Sequence, residues 1–208
     1  PTATDAALVL GTASHALDYD DVCMLATCHP SAPVLAALLA ELPALVRERP
    51  ALSLRDLLAA SLVGTETLLR LGAWLGFRHY ALGFHATGTL GTVGAAAALA
   101  HAWRLAPGTA HVALSIAASS ACGLRANFGT DTKPLHVGLA ASAGVRAVLL
   151  ARAGATASDD VWGAGGFPLA FNGGEPLAAL AWDGRGDWAL SKPGFELKRF
   201  PSCYMTHR

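Results

Sequence analysis

Four polar clusters interrupt an otherwise apolar chain: Asp18, Asp20 and Asp21 with His29 after them; His85 with Thr87 and Thr89; Thr130-Asp131-Thr132-Lys133 with His136; and Lys198 with His207. Three carboxylates within residues 18–21 require solvent, a cation or a shifted pKa, because like charges that close repel. Histidine and lysine side chains hold carboxylates, and an imidazole or a carboxylate moves a proton. Singly, each cluster reads as ordinary loop polarity: a solvated capping turn, a turn histidine before Pro30, a satisfied loop histidine, a lysine ahead of a proline-started helix. Jointly, acids, imidazoles and ammonium groups in a charge-poor chain fit a site for a small polyanion.

Helices must carry these clusters together. Ala and Leu dominate, and both are strong helix formers. Thr4 is a candidate cap for a helix over 5–16. Pro33 suits the first turn of a helix over 34–42. Ser53 with Asp56 resembles a capping box, and the apolar spacing from Leu54 predicts a helix over 54–71 that Gly72 ends. The stretch 83–103 reads as a polar loop entering an Ala-rich helix, and a further helix is expected over 107–122. Residues 123–133 read as a polar loop, and Pro134 opens a helix running to 153. Gly163 to Gly166 is a breaker run. Beyond Gly184, residues 188–190 and 195–198 read as short strands around Lys192-Pro193-Gly194.

The chain has 208 residues, 15 basic and 15 acidic side chains and no formal net charge. That length fits one domain, or one and a piece. With 53% hydrophobic and 14% charged residues, general disorder is excluded. The neutral balance offers no footprint for nucleic acid or an anionic membrane surface. The stretches between Arg78 and Arg104, and between Arg104 and Arg125, hold no Asp, Glu, Lys or Arg and are long enough to span a bilayer. Their histidines, glycines and hydroxyl residues instead fit closely packed buried helices, so no membrane span is expected. The first residues lack the basic region of a signal peptide. Cys23, Cys28, Cys122 and Cys203 are expected to be reduced, mostly buried thiols of a cytoplasmic protein. Cys23, Cys28 and His29 lack a second pair at zinc-finger spacing, so no metal is assigned. No P-loop, dinucleotide fingerprint or nucleophile elbow occurs.

Four segments in order carry a resemblance: HALDYDD followed by Thr27-Cys28-His29-Pro30, GFHATGT, TDTKPLHVGLAASAG and LKRFPSCYMTH. They span essentially the whole chain and resemble the MmgE/PrpD family, which includes 2-methylcitrate dehydratase, cis-aconitate decarboxylase and iminodisuccinate epimerase. The resemblance implies an all-α helical bundle domain over 1–184. It also implies a β stub over 185–208 leading into a small α/β lid domain that is otherwise absent, a family chain being about twice this long. Asp18, His29, His85, Lys133 and Lys198 match the positions that surround the substrate, with Thr87, Thr89, Thr132, His136 and His207 as accompanying substrate-binding residues. No metal and no organic cofactor is implied. The expected assembly is a cytoplasmic homodimer.

The implied activity is a carbon–oxygen lyase: dehydration of a 2-methylcitrate-type hydroxy acid by proton abstraction next to a carboxylate. Lys133, Lys198 and His85 are expected to bind carboxylates and stabilise the developing enolate-like charge. Asp18 and His29 are candidates for moving the proton or orienting it; which is acid and which is base stays open. So do two alternatives, an epimerase or decarboxylase of the same family and a non-catalytic member serving as an assembly subunit. Val22 stands where family members often carry Thr after LDYDD, which removes one hydroxyl donor near the substrate.

Overall fold

A computed structural model describes residues 2–178, 180 and 186–207. Seven α-helices are formed among them: α1 (Ala3–His15), α2 (Ser31–Glu48), α3 (Leu54–Ala81), α4 (Ala86–Ala102), α5 (Pro107–Ser119), α6 (Thr132–Arg152) and the short α7 (Phe167–Phe171). The expected domain boundary at 184/185 lies outside the described residues.

Local chemistry sets the helix starts. Thr2 caps α1, two residues before the expected cap: its hydroxyl accepts from Asp5 N–H, and the Asp5 carboxylate accepts in return from Thr2 N–H. Ser53 and Asp56 make the same reciprocal box at α3. The amide of Ser31 in α2 is taken by the Asp21 carboxylate at 3.2 Å, with the Ser31 hydroxyl donating to the same oxygen at 2.7 Å. One of the three clustered acids is thereby spent on a helix start.

α4 is the hub. It is buried around nearly its whole circumference, which is what an all-round apolar, small-residue helix requires. It packs against α2, α3, α5 and α6. α3 and α4 touch through backbone: a Cβ added at Gly94 would sit 2.9 Å from the Gly64 carbonyl. α6 is long and apolar enough to cross a bilayer by length and composition, but most of it is buried inside the bundle, against α1, α2, α4 and α5.

Several expectations are corrected. Gly72 does not end α3, which continues to Ala81. Gly72 is instead a point of close approach, where a side chain would collide with Ala26, and the break falls at Gly76, with φ 63° and ψ −172°. α2 runs on through Pro43 to Glu48. Of the cysteines only Cys23 and Cys28 are buried; all four are free.

The expected β stub is absent: no strand forms among the described residues. The reason lies in where its backbone groups go. The amides of Ala189 and Leu190 donate to the buried Glu66 carboxylate at 2.9 and 3.0 Å, and the Trp188 carbonyl accepts from Ser191 and Lys192 N–H. Further on, Glu196 pairs with Val22 in a single antiparallel bridge, and the Cys23 thiol donates to the Gly194 carbonyl. The segment is thus a strap, tied first to α3 and then to the loop after α1. Glu66→Ala is expected to leave both amides unpaired at a cost of about 1–3 kcal/mol. Tm should fall by several degrees, and limited proteolysis should cut 186–198 sooner.

Candidate active site

Five parts of the chain deliver side chains to one place: the end of α1 (His15), the 18–29 loop, the start of α4 (His85), the first turn of α6 (Lys133) and the strap (Lys198). A cavity of about 780 Å³ opens there, lined by His15, Asp18, His29, His85 and Lys133 and walled on the apolar side by Phe77, Tyr80 and Phe128.

Asp18 is the centre. Its backbone sits in the left-handed region at φ 50°, a strained position for a non-glycine residue that Asp tolerates better than most. Lys133 Nζ lies 3.0 Å from one carboxylate oxygen. Lys198 Nζ lies 2.7 Å from the other, and also donates to the Asp18 carbonyl at 2.7 Å. Burial pushes the Asp18 carboxyl up, but the hydrogen bonds from Lys198 and Lys133 outweigh it and hold it at about 2. Asp18 is therefore a fixed anion that joins two cations, and not a proton carrier near neutral pH.

The clustered acids are separated by partner. Asp20 takes His15 Nδ1, at 2.9 and 2.8 Å from its two oxygens. Asp21 takes Ser31, and its buried carboxyl is pushed up by desolvation. The Asp21 carbonyl lies 2.8 Å from His29 Nδ1. A carbonyl can only accept, so His29 donates from Nδ1 and carries its lone pair on Nε2, 3.7 Å from Asp18. Burial lowers the His29 pKa to about 4, which makes it a neutral imidazole. Burial, with the neighbouring His15 and His136, drives His85 down to about 2.

Supporting contacts fix these rings. His29 N–H donates to Thr87 Oγ1 at 3.0 Å. His85 Nδ1 is 3.0 Å from His136 Nδ1, and His85 N–H donates to the Gly123 carbonyl. The Phe84–Leu124 bridge holds the loop before α4 against the loop after α5.

Asp18, His29, His85 and Lys133 meet at the cavity wall, and Lys198 joins them through Asp18 from a buried position off the wall. The accompanying residues do so unevenly. His136 backs His85, and Thr87 is buried behind His29. Thr89 points elsewhere, bonded to His79 Nε2 at 2.7 Å. Thr132 and His207 lie off the cavity wall, where Thr130 and Cys203, Tyr204 and Met205 stand instead; His207 meets Ser202. Val22, in place of a hydroxyl residue, adds apolar wall. His15 also lines the cavity although it belongs to none of the polar clusters; it opens the HALDYDD segment one helical turn before Asp18.

His15, Asp18, Asp20 and His29 each offer one ligand atom, all within 4.8 Å of one another. A cation there would share Asp18 with two ammonium groups already in contact with it. The arrangement suits anion binding and proton movement better.

Residues 2–178 match the MmgE/PrpD N-terminal domain. Human cis-aconitate decarboxylase (Homo sapiens) is 38% identical over 212 residues, covering 98% of this chain and 42% of the relative. The mouse cis-aconitate decarboxylase (Mus musculus) is 37% identical over the same shares. The chain thus spans about 42% of the length of these relatives. With the domain match covering most of its residues and the likeness running almost from end to end, the chain belongs to the MmgE/PrpD family.

Proposed function

We propose that this chain forms the substrate-binding and proton-transferring face of a cofactor-independent lyase for a small tricarboxylate. The observation that carries the reading is Asp18 joining Lys133 and Lys198 at 3.0 and 2.7 Å, beside a neutral His29 with a bare Nε2. A substrate carboxylate pairs with the Lys133 ammonium, which lines the cavity, while the buried Lys198 holds Asp18 from behind. When a bond at the carbon beside a carboxylate breaks, its electron pair spreads onto the carboxylate oxygens, and fixed cations stabilise that charge more than the ground state.

Two outcomes share this step. In decarboxylation, the reaction named for the human and mouse relatives, carbon dioxide leaves and the carbon takes a proton. In dehydration, a base takes the proton and hydroxide leaves. The neutral imidazole of His29 favours the second, and the likeness to named decarboxylases favours the first. The test is to incubate the protein with cis-aconitate and with 2-methylcitrate and follow both by proton NMR. A rise in Tm with either acid is expected, with loss of carbon dioxide or of water identifying the reaction. If the reaction is dehydration, kcat/KM should fall as pH drops through about 4, where His29 protonates and its lone pair is lost. No rise in Tm with any tricarboxylate would sink the reading.

The assembly-subunit alternative is favoured by one feature: Leu54, Leu58 and Leu62 form an exposed apolar stripe on α3. A stable oligomer with no turnover would support it.

A further inference from the structure

Three imidazoles face the cavity, and Asp20 meets His15 at hydrogen-bond distance while standing 3.6 Å from His29 Nδ1. His15 ends α1 with its side chain wholly buried. Its Nδ1 lies within 2.9 Å of both Asp20 oxygens and 4.0 Å from Asp18. A carboxylate only accepts, so Nδ1 carries a proton. Its Nε2 is buried and has no hydrogen-bond partner among the described residues. An orphaned buried nitrogen costs stability unless something fills its place. The His29 ring is 4.5 Å away and the His85 ring 6.1 Å. The Nε2 of His85 is buried and equally unpartnered. Two orphaned nitrogens on adjacent rings at one cavity wall leave a polar niche for a ligand atom.

We infer that His15 is a catalytic residue of this site, the group that gives a proton from Nε2 to the reacting ligand, and that Asp20 is its positioning residue. The inference rests on the tricarboxylate reading above and completes it. The two active-site imidazoles then divide the work by environment. Burial favours the neutral form of His29, and His15, Lys198 and Lys133 add to it against the pull of Asp20. His15 meets the Asp20 carboxylate through Nδ1 and leaves Nε2 without a protein partner among the described residues. Both candidate reactions need such a donor. In dehydration His29 takes the C–H proton, the C–O bond breaks, and the departing hydroxide takes the Nε2 proton to leave as water. In decarboxylation the C–C bond breaks, the electron pair stays on the substrate carbon as carbon dioxide leaves, and that carbon takes the Nε2 proton. His15 is left as a neutral imidazole beside the Asp20 carboxylate, and regains its proton from solvent in decarboxylation or from the proton held by His29 in dehydration.

The titratable and charged groups around His15 are Asp18, Asp20 and His29 from the loop, His85 from α4 and His136 from α6, with Lys133 and Lys198 held on Asp18. The test combines NMR and kinetics. Nitrogen-15 shifts of the imidazole rings in the purified protein should show His15 carrying a proton on Nε2 as well as Nδ1 at the pH of turnover; a His15 Nε2 without a proton there overturns the inference with no need for turnover. In kinetics, His15→Gln should lower kcat by about 10²–10³-fold, in the usual range for a positioned proton donor. KM should change little, the tricarboxylate-induced rise in Tm should persist, and the basic limb of the kcat profile should vanish. Asp20→Asn should move that basic limb to lower pH, which a merely structural role would not do. Wild-type kcat and an intact basic limb in His15→Gln refute the inference while leaving the tricarboxylate reading standing. Absence of tricarboxylate binding by the wild-type protein refutes both.

Discussion

Lys133→Ala is expected to erase the tricarboxylate-induced rise in Tm and to lower kcat/KM by about 10³-fold, at the upper end for loss of one electrostatic stabiliser. Lys133 stands in the first turn of α6, with its ammonium 3.0 Å from Asp18 and 5.4 Å from the centre of the Phe128 ring. It lines the cavity, and is the more accessible of the two ammonium groups. Its removal leaves Asp18 paired with Lys198, so the fold loses little while the ligand loses a cation. Lys133→Arg keeps the charge but changes its shape and reach, and should recover binding better than turnover. Isothermal titration with cis-aconitate, beside steady-state kinetics, separates the two. Unchanged affinity in Lys133→Ala would remove the lysine from the site.

Asp18→Asn should be the most destabilising single change at the site. Lys198 has no exposed side-chain surface, and the carboxylate is what makes a buried ammonium tolerable. Without it, two ammonium groups confront each other across a neutral amide. Breaking such a pair from one side costs about 3 kcal/mol, which in a domain of this size lowers Tm by about 6–12 °C. Lys198→Met should cost much less, because it removes the buried charge itself and leaves Asp18 with Lys133. Thermal melts of the two variants decide the matter: Lys198→Met melting below Asp18→Asn would contradict the account. The pH dependence has a definite sign. The Asp18 carboxyl titrates at about 2 in the folded protein, below its unfolded value near 4. Its contribution is therefore fully present above about pH 4 and is lost as pH falls through about 2. Asp18→Asn should flatten that part of the acid unfolding curve.

The bundle and the core of the site were legible because both are written in local chemistry. Capping residues such as Ser53 and Asp56 act within one turn, and charged side chains in an apolar chain have few places to go. What was not legible depends on contacts across the fold. Gly72 looks like a helix stop and is a contact with Ala26. Residues 188–190 look like a strand, but a carboxylate on α3 takes their amides. Thr89 shares a motif with His85, yet His85 is the extended cap residue ahead of α4 while Thr89 lies in the helix and bonds to His79. His15 was overlooked for a related reason: a lone histidine ending an amphipathic helix carries no signal until the chain folds back and Asp20 meets it.

The pairing of Asp18 with Lys198 joins residues 180 positions apart, and this sets an order of events during synthesis. Asp18, His29, His85 and Lys133 all leave the ribosome first. Lys198 follows Lys133 by 65 positions in the sequence (198 − 133), roughly 3–13 s later at ordinary elongation rates. A nascent chain therefore holds the rest of the site before the second cation arrives, and Asp18 gains its buried partner only when the strap emerges and docks.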